Sequence, residues 1–207
     1  MYTPPAFKEE TLSVLHAIIE AASLSTFVTA TAEGLLATPL PLLLDRDEGP
    51  YGTLYGHLAR ANPQGTTSPI GAAMATFMGP DAYVTPSWYA SKREHGKVVP
   101  TWNYSAVHAY GEVEFFTDED RLLDVVTRLT NRHEAARAEP WQVSDAPPAF
   151  VKAQLRGIIG LRLPIDRLDG KRKFSQNRSI EDRQGVAAGL AASAQPEDRL
   201  VSGEIPV

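Results

Sequence analysis

The sequence predicts a mainly β protein with flanking helices (α+β), an antiparallel barrel or sandwich with the helices packed outside. Three observations carry this. Short segments rich in Thr, Val, Phe and Tyr recur between turn signals such as Glu33-Gly34, Asn62-Pro63 and Gly79-Pro80. A few other stretches repeat apolar residues at helical spacing. There is neither an internal repeat nor a stretch composed like an interdomain linker.

The elements follow in order. Residues 8–22 are expected as a helix, with Leu12, Leu15, Ile18, Ile19 and Ala22 on one face. Glu9 and Glu10 suit the positive end of its dipole. Residues 25–31 favour a strand, and Glu33-Gly34 turns it into 35–44, an extended segment broken by Pro39 and Pro41. A polar turn covers 45–50, and 53–58 is a strand. Residues 59–69 form a loop, and 71–78 and 81–85 are short strands split by Gly79-Pro80. A basic linker covers 92–97. The longest strand is 101–116, with Asn103, Ser105, Val107, Ala109 and Gly111 on one face and Trp102, Tyr104, His108 and Tyr110 on the other. Thr117 is the expected N-cap of a helix reaching about 138, with Asp118, Glu119 and Asp120 in its first turn. Pro147-Pro148 starts a short helix through 155, and 158–163 is the last clear strand. A basic polar loop at 170–177, a weak helix at 179–192 and a frayed end at 193–207 complete the chain. The expected domain is therefore 1–192, with 193–207 as a tail.

Composition excludes several functions. The 207 residues carry 20 basic and 25 acidic side chains, a net charge of -5. That argues against broad, charge-driven nucleic-acid binding, which needs many phosphate contacts. The chain has no cysteine, so disulfides, thiolate metal sites, iron–sulfur clusters and a cysteine nucleophile are all excluded. No apolar run approaches the ~18 residues of a spanning helix, and Met1-Tyr2-Thr3-Pro4-Pro5 lacks a signal sequence's pattern. The expected location is the cytoplasm, without a membrane partner.

Standard catalytic motifs are absent: no phosphate-binding glycine loop, no dinucleotide fingerprint, no nucleophile elbow, no paired-histidine zinc helix. Aromatic residues crowd one region, where Trp88, Tyr89, Trp102 and Tyr104 lie between Tyr83 and Tyr110. This is either core plus interface or a platform for a flat conjugated ligand. Small polar and basic residues gather in four groups, 57–62, 87–92, 101–103 and 171–177. A phosphate monoester carries close to two negative charges and takes Arg with hydroxyl or amide donors. Arg60, Lys92, Lys173, Ser87, Ser175 and Asn177 are of the right types. Singly, such groups are solvated loops; together they suggest a phosphorylated cofactor.

Several blocks then match a known family. They are Met1-Tyr2-Thr3-Pro4-Pro5-Ala6-Phe7, Gly56-His57-Leu58-Ala59-Arg60-Ala61-Asn62-Pro63-Gln64, Gly79 through Tyr89, Val99-Pro100-Thr101-Trp102-Asn103-Tyr104, Val107-His108-Ala109-Tyr110-Gly111 and Gly170 through Arg178. In that order they resemble the PaiB family, flavin-binding regulators related to the FMN-binding split barrels. The chain departs from the family at Gly65-Thr66-Thr67, Thr85 and Phe174, which bear on loop shape and hydroxyl placement. The resemblance implies an antiparallel split β-barrel, flavin-reductase or pyridoxamine-phosphate-oxidase-like, forming a homodimer with FMN at the interface. By analogy, His57, Arg60 and Asn62 grip the phosphate, with Arg60 foremost. Ser87, Trp88, Tyr89 and Lys92, with Thr101, Trp102 and Asn103, line the flavin or the interface. Lys173, Ser175, Gln176 and Asn177 form a second wall, and Asn103 or Gln176 would donate to the reduced flavin. The implied function is a transcriptional regulator acting through flavin, and direct DNA binding lacks a basic recognition helix. The alternatives are a flavin-dependent oxidoreductase and a haem-binding or haem-degrading split barrel.

Overall fold

The structure is a computed structural model describing residues 1–207. In chain order it contains β1 (Lys8–Glu9), α1 (Leu12–Ala21), β2 (Ser25–Thr31), β3 (Gly34–Leu40), β4 (Leu43–Asp45), β5 (Thr53–Ala59), β6 (Ala73–Val84), α2 (Ser91–Glu94), β7 (Thr101–Gly111), β8 (Glu114–Phe116), α3 (Glu119–Glu134), α4 (Pro148–Leu155), β9 (Ile158–Pro164), β10 (Arg167–Lys173), α5 (Ile180–Ala191) and α6 (Pro196–Glu204). Residues group into two compact units. One comprises Met1–Ala21, Met78–Val107 and Asp169–Val207; the other comprises Ala22–Phe77 and His108–Leu168. No helix is long and apolar enough to cross a membrane.

In the first unit the strands run in the order β1, β10, β7, β6. Lys8 and Glu9, expected in the first helix, instead pair antiparallel with Lys171 and Gly170. Gly170 permits this approach: a Cβ there would lie 2.2 Å from Leu15 Cδ2 and 2.5 Å from the Glu9 carbonyl oxygen. The expected loop at 170–177 is therefore partly strand β10, which no apolar alternation announces. The break expected at Gly79-Pro80 is also absent, and β6 runs through both residues. In this unit β6 has only β7 beside it, and an edge strand tolerates the missing N–H of Pro80.

An apolar cluster of Ala82, Val84, Tyr89, Phe174, Val186, Leu190, Val201 and Ile205 fills this unit. Val201 and Ile205 come from the end expected to fray. That end is helix α6, started by Pro196 with Glu197 and Asp198 in its first turn. Ser202 Oγ donates to the Ala187 carbonyl at 2.9 Å and ties it to α5. The expected α5 is present, with Ser179 as its N-cap.

In the second unit β6, β2 and β3 lie side by side, and a separate sheet has the order β4, β5, β9, β8. β2 pairs with β3 from Ser25↔Leu40 to Thr31↔Gly34, the hairpin that Glu33-Gly34 predicts. Pro39 stays within β3 because β3 is an edge strand. The long strand expected over 101–116 divides after Gly111. β8 pairs with β9 instead, placing Phe116 opposite Gly160. Asp118, not Thr117, caps α3: its carboxylate accepts from the Arg121 N–H at 2.9 Å. The helix ends at Glu134, four residues short of expectation. Leu122, Val125 and Leu129 of α3 pack with Phe116 and Leu155.

Glu48, Tyr55 and Arg162 form a polar lock across β5 and β9. Tyr55 Oη donates to Glu48 Oε2 at 2.6 Å, and Arg162 Nε donates to Oε1 at 2.9 Å. Burial alone would raise the Glu48 pKa. The Tyr55 and Arg162 hydrogen bonds and the Arg162 charge outweigh it and hold the carboxyl below its usual 4.5. A depressed carboxyl stabilises the fold above its unfolded pKa and loses that contribution as pH falls through the folded one. Glu48→Gln is therefore expected to flatten the fall in melting temperature as pH drops from about 5 to about 3. Parallel acid profiles of the variant and the parent would refute the lock.

Candidate functional site

The sequence-predicted site residues divide between the units. His57, Arg60 and Asn62 belong to the second; the other eleven belong to the first.

His57 stands on β5 opposite Gly160 of β9. Its Nδ1 is buried with no hydrogen-bond partner, and burial pushes its pKa down from 6.5. A buried nitrogen without a partner is unusual in a folded protein. Arg60 follows the end of β5. Its N–H bonds the Gly157 carbonyl at 2.8 Å, and its side chain donates from Nε to Arg156 O at 2.6 Å and from Nη2 to Ile158 O at 3.3 Å. These bonds hold the guanidinium at the start of β9, exposed, with Nη1 uncommitted. Asn62 is committed at both ends of its amide: Oδ1 accepts from Gln64 N at 3.0 Å, and Nδ2 donates to Thr38 Oγ1 at 2.9 Å. It is the N-cap of the short turn Pro63–Gly65.

Gln64, not among the expected site residues, is the keystone of this segment. It is fully buried. Its Nε2 donates to Phe27 O, Thr29 Oγ1 and Leu36 O at 3.1–3.2 Å, and its Oε1 accepts from Thr38 Oγ1 at 2.6 Å. A lone Gln in a polar loop carries no signal that would reveal this.

In the first unit the aromatic crowd separates by role. Tyr89 is buried, with the Arg178 guanidinium over its ring at 4.7 Å. Trp88 packs against the apolar cluster and over Gly189, where a Cβ would lie 2.4 Å from its ring. Neither ring is an open platform for a flat conjugated ligand. Trp102 is half exposed and meets half-exposed Tyr83 edge to face at 6.0 Å.

Many of the polar side chains here bind each other. Asn103 is fully buried and exchanges hydrogen bonds with Ser175 at 3.1 and 3.3 Å. Gln176 accepts from Phe174 N and donates to Arg172 O, both at 2.7 Å. The expectation that Asn103 or Gln176 donates to a flavin meets this obstacle: their amides already close the fold. Lys92 donates to Ser87 Oγ at 3.1 Å. Lys173 Nζ donates to Thr101 Oγ1 and, at 2.7 Å, to the Trp102 carbonyl. Asn177 is exposed.

Residues 1–167 match the family model described as “Putative FMN-binding domain”. The chain belongs to this FMN-binding family. Protease synthase and sporulation protein PAI 2 of Bacillus subtilis is 32% identical, covering 98% of this chain and 95% of that protein. An uncharacterized protein of Emericella nidulans is 34% identical, covering 92% and 90%. The resemblance to PaiB therefore holds along the chain. Among solved structures, the FAD and heme binding protein of Mycobacterium smegmatis aligns with a TM-score of 0.59 at 15% identity over 88% of this chain and 80% of that one. The flavocytochrome Anf3 of Azotobacter vinelandii aligns with 0.57 at 15% identity over 81% and 69%. These likenesses show the fold, the antiparallel split barrel with flanking helices.

The family's cofactor is FMN, and the His57–Asn62 segment fits one end of it. Arg60 keeps an uncommitted pair of N–H donors on an exposed strand end, suited to a phosphate's two-pronged geometry. His57 Nδ1 is a buried nitrogen awaiting a partner. Bound FMN would supply hydride and electron transfer.

Proposed function

We propose that this FMN-binding chain is a PaiB-type regulator that works as a homodimer, senses or carries flavin, and takes the FMN phosphate on Arg60. The observation that supports the site is the pairing, within one segment, of an orphaned imidazole nitrogen and a guanidinium fixed by backbone carbonyls yet open at Nη1. The regulatory reading draws on the Bacillus relative, named for protease synthesis and sporulation. With a net charge of -5, regulation through flavin state or a partner fits better than direct DNA contact.

Arg60→Ala is expected to weaken FMN binding by about ten- to a hundredfold, the worth of a charge-assisted contact of about 1.5–3 kcal/mol. Riboflavin, which lacks the phosphate, should lose little. Flavin fluorescence titration of both ligands measures this. Equal losses would remove Arg60 from the phosphate. A Soret band on haem addition, abolished by His57→Ala, would replace the flavin reading with a haem one.

The dimer has its own support. Met78, Tyr83, Val99 and Trp102 of the first unit are all exposed large apolar side chains, and such surfaces mark association sites. Sedimentation equilibrium is expected to give a dimer for the parent and a monomer for Trp102→Glu. A Trp102→Glu protein that stays dimeric would move the interface elsewhere.

A further inference from the structure

Helix α3, in the second unit, turns Leu122, Val125 and Leu129 to the core. Glu119, Leu123, Thr127 and Asn131 are spaced four apart and share a different face. That face borders a cavity of about 830 Å³. α4 contributes Val151 and Leu155 to it, and the segment 140–146 contributes Trp141. Leu155 belongs to the core cluster and Val151 packs against it, so the cavity rests on the core. Leu123 and Trp141 line it as well, yet they are 38% and 49% exposed. Two large apolar side chains thus stay uncovered inside a concave surface.

The segment that carries Trp141 is held in place. Trp141 N donates to Glu134 Oε2 at 3.1 Å, Gln142 N to Asp145 Oδ2 at 2.8 Å, and Asp145 N to the Gln142 carbonyl at 2.9 Å. Pro140 and Pro148 fix the backbone at either end. The cavity is therefore pre-formed, and an entering ligand would have little to order. The charges on its lining are matched. Glu119 pairs with Lys152 at 3.3 Å, and Glu134 with Arg137 at 3.0 Å. No other ionisable side chain lines it. Thr127 and Asn131 add neutral donors and acceptors. A charged ligand would give up water here without meeting an unmatched counter-charge.

We propose that this cavity binds a neutral, flat aromatic small molecule that stacks on the Trp141 indole and lies against Leu123 and Val151. Its volume falls within the roughly 300–1,000 Å³ of small-molecule sites, and an apolar lining with a few polar groups is their usual composition. An indole face takes a flat conjugated ring by offset stacking. Glu119 is the first residue of α3 and Glu134 the last, so an ion pair stands at each end of the apolar stretch. That suits an occupant that ends within the stretch better than a polypeptide passing along it. None of His57, Arg60 and Asn62 lines the cavity, so the site is separate from the one proposed for the FMN phosphate.

The test is fluorescence titration of the full chain with N-phenylnaphthylamine, a neutral aromatic probe that brightens in apolar surroundings, with and without saturating FMN. The parent should bind one probe per chain at micromolar concentration, equally well in both states. Leu123→Gln/Trp141→Gln should bind at least about tenfold more weakly, having lost the stacking face and its apolar neighbour. Both side chains are exposed, so this variant should keep the parent's urea midpoint. A second variant, Asn131→Trp, fills the cavity from an exposed helix position and should abolish binding without stripping any apolar contact. Anilinonaphthalene sulfonate, the same ring system with a negative charge, should bind at least about tenfold more weakly than the neutral probe. A parent that takes up no probe would sink the proposal, as would undiminished binding by both variants. Binding that FMN displaces would place the probe in the flavin site and overturn it too. Tighter binding of the sulfonate would refute the neutral class. If the double variant changes the oligomeric state in sedimentation, the cavity is instead an interface between copies of the chain.

Discussion

Gly111→Ala is expected to cost about 3 kcal/mol or more, a fall of about 6–12 °C in melting temperature for a chain of this size. Gly111 ends β7 where the backbone of β9 passes close by. A Cβ there would lie 1.9 Å from the Pro164 carbonyl oxygen and 3.1 Å from its carbonyl carbon. The obstacle is backbone, not the end of a flexible side chain, so β7 or β9 must shift. Neither is free to do so. Tyr110 O accepts from Asp166 N at 2.8 Å, and β9 is paired to β5 from Ile158 to Pro164. The control is Gly203→Ala in α6, where nothing lies within 4 Å of the added Cβ. There the exchange should be stabilising by about 0.5–1 kcal/mol, because alanine loses less backbone entropy in a helix. Urea unfolding separates the two effects, with opposite shifts in midpoint at an unchanged slope. A Gly111→Ala protein that melts within a degree of the parent would mean the two strands are more loosely apposed than drawn.

Such close approaches show what a sequence conceals. Local signals worked where the pattern belongs to one element. The Thr-, Val- and Phe-rich run 25–31 is β2 at its expected limits, and of the two faces expected for 101–111 the one from Asn103 to Gly111 is the buried one. They failed where a partner decides. Lys8 and Glu9 read as the start of a helix but are drawn into a strand by β10. Gly79-Pro80 reads as a break, yet an edge position absorbs it. Residues 196–204 carry little apolar signal, but Val201 and Ile205 have a core to enter.

The site was legible to the same degree. Residue type singles out segments that carry the Arg, Lys and hydroxyl groups a phosphate needs. Type does not say which donors the fold has already used. Asn62, Asn103, Ser175 and Gln176 look available in the sequence and are engaged in the structure. Which side chains remain free for a ligand is a three-dimensional property.

Gln64→Leu should be nearly as damaging as the glycine change, by about 2–4 kcal/mol, and should weaken FMN binding as well. Leucine keeps most of the volume, so the loss reports hydrogen bonds rather than a cavity. Four partners are affected at once: the carbonyls of Phe27 and Leu36, and the hydroxyls of Thr29 and Thr38. Gln64 is buried, so a group left without its partner pays a desolvation penalty. The effect reaches the His57–Asn62 segment, proposed to hold the FMN phosphate, through Thr38, which receives the Asn62 amide and donates to Gln64. Without Gln64 the Asn62 cap loses its backing, and the chain that carries Arg60 into the Pro63–Gly65 turn loosens. Gln64→Glu sharpens the reading. A carboxylate can accept from Thr38 but cannot donate to the three acceptors around Nε2, and burying its charge adds a further cost. Burial raises the folded-state pKa of such a carboxyl, so this variant should be least impaired at low pH and lose stability as pH rises through that value. Thermal melts across pH, with FMN titration at each point, measure both effects. If Gln64→Leu melts like the parent and binds FMN equally well, the amide is a filler, and the segment is held by its backbone alone.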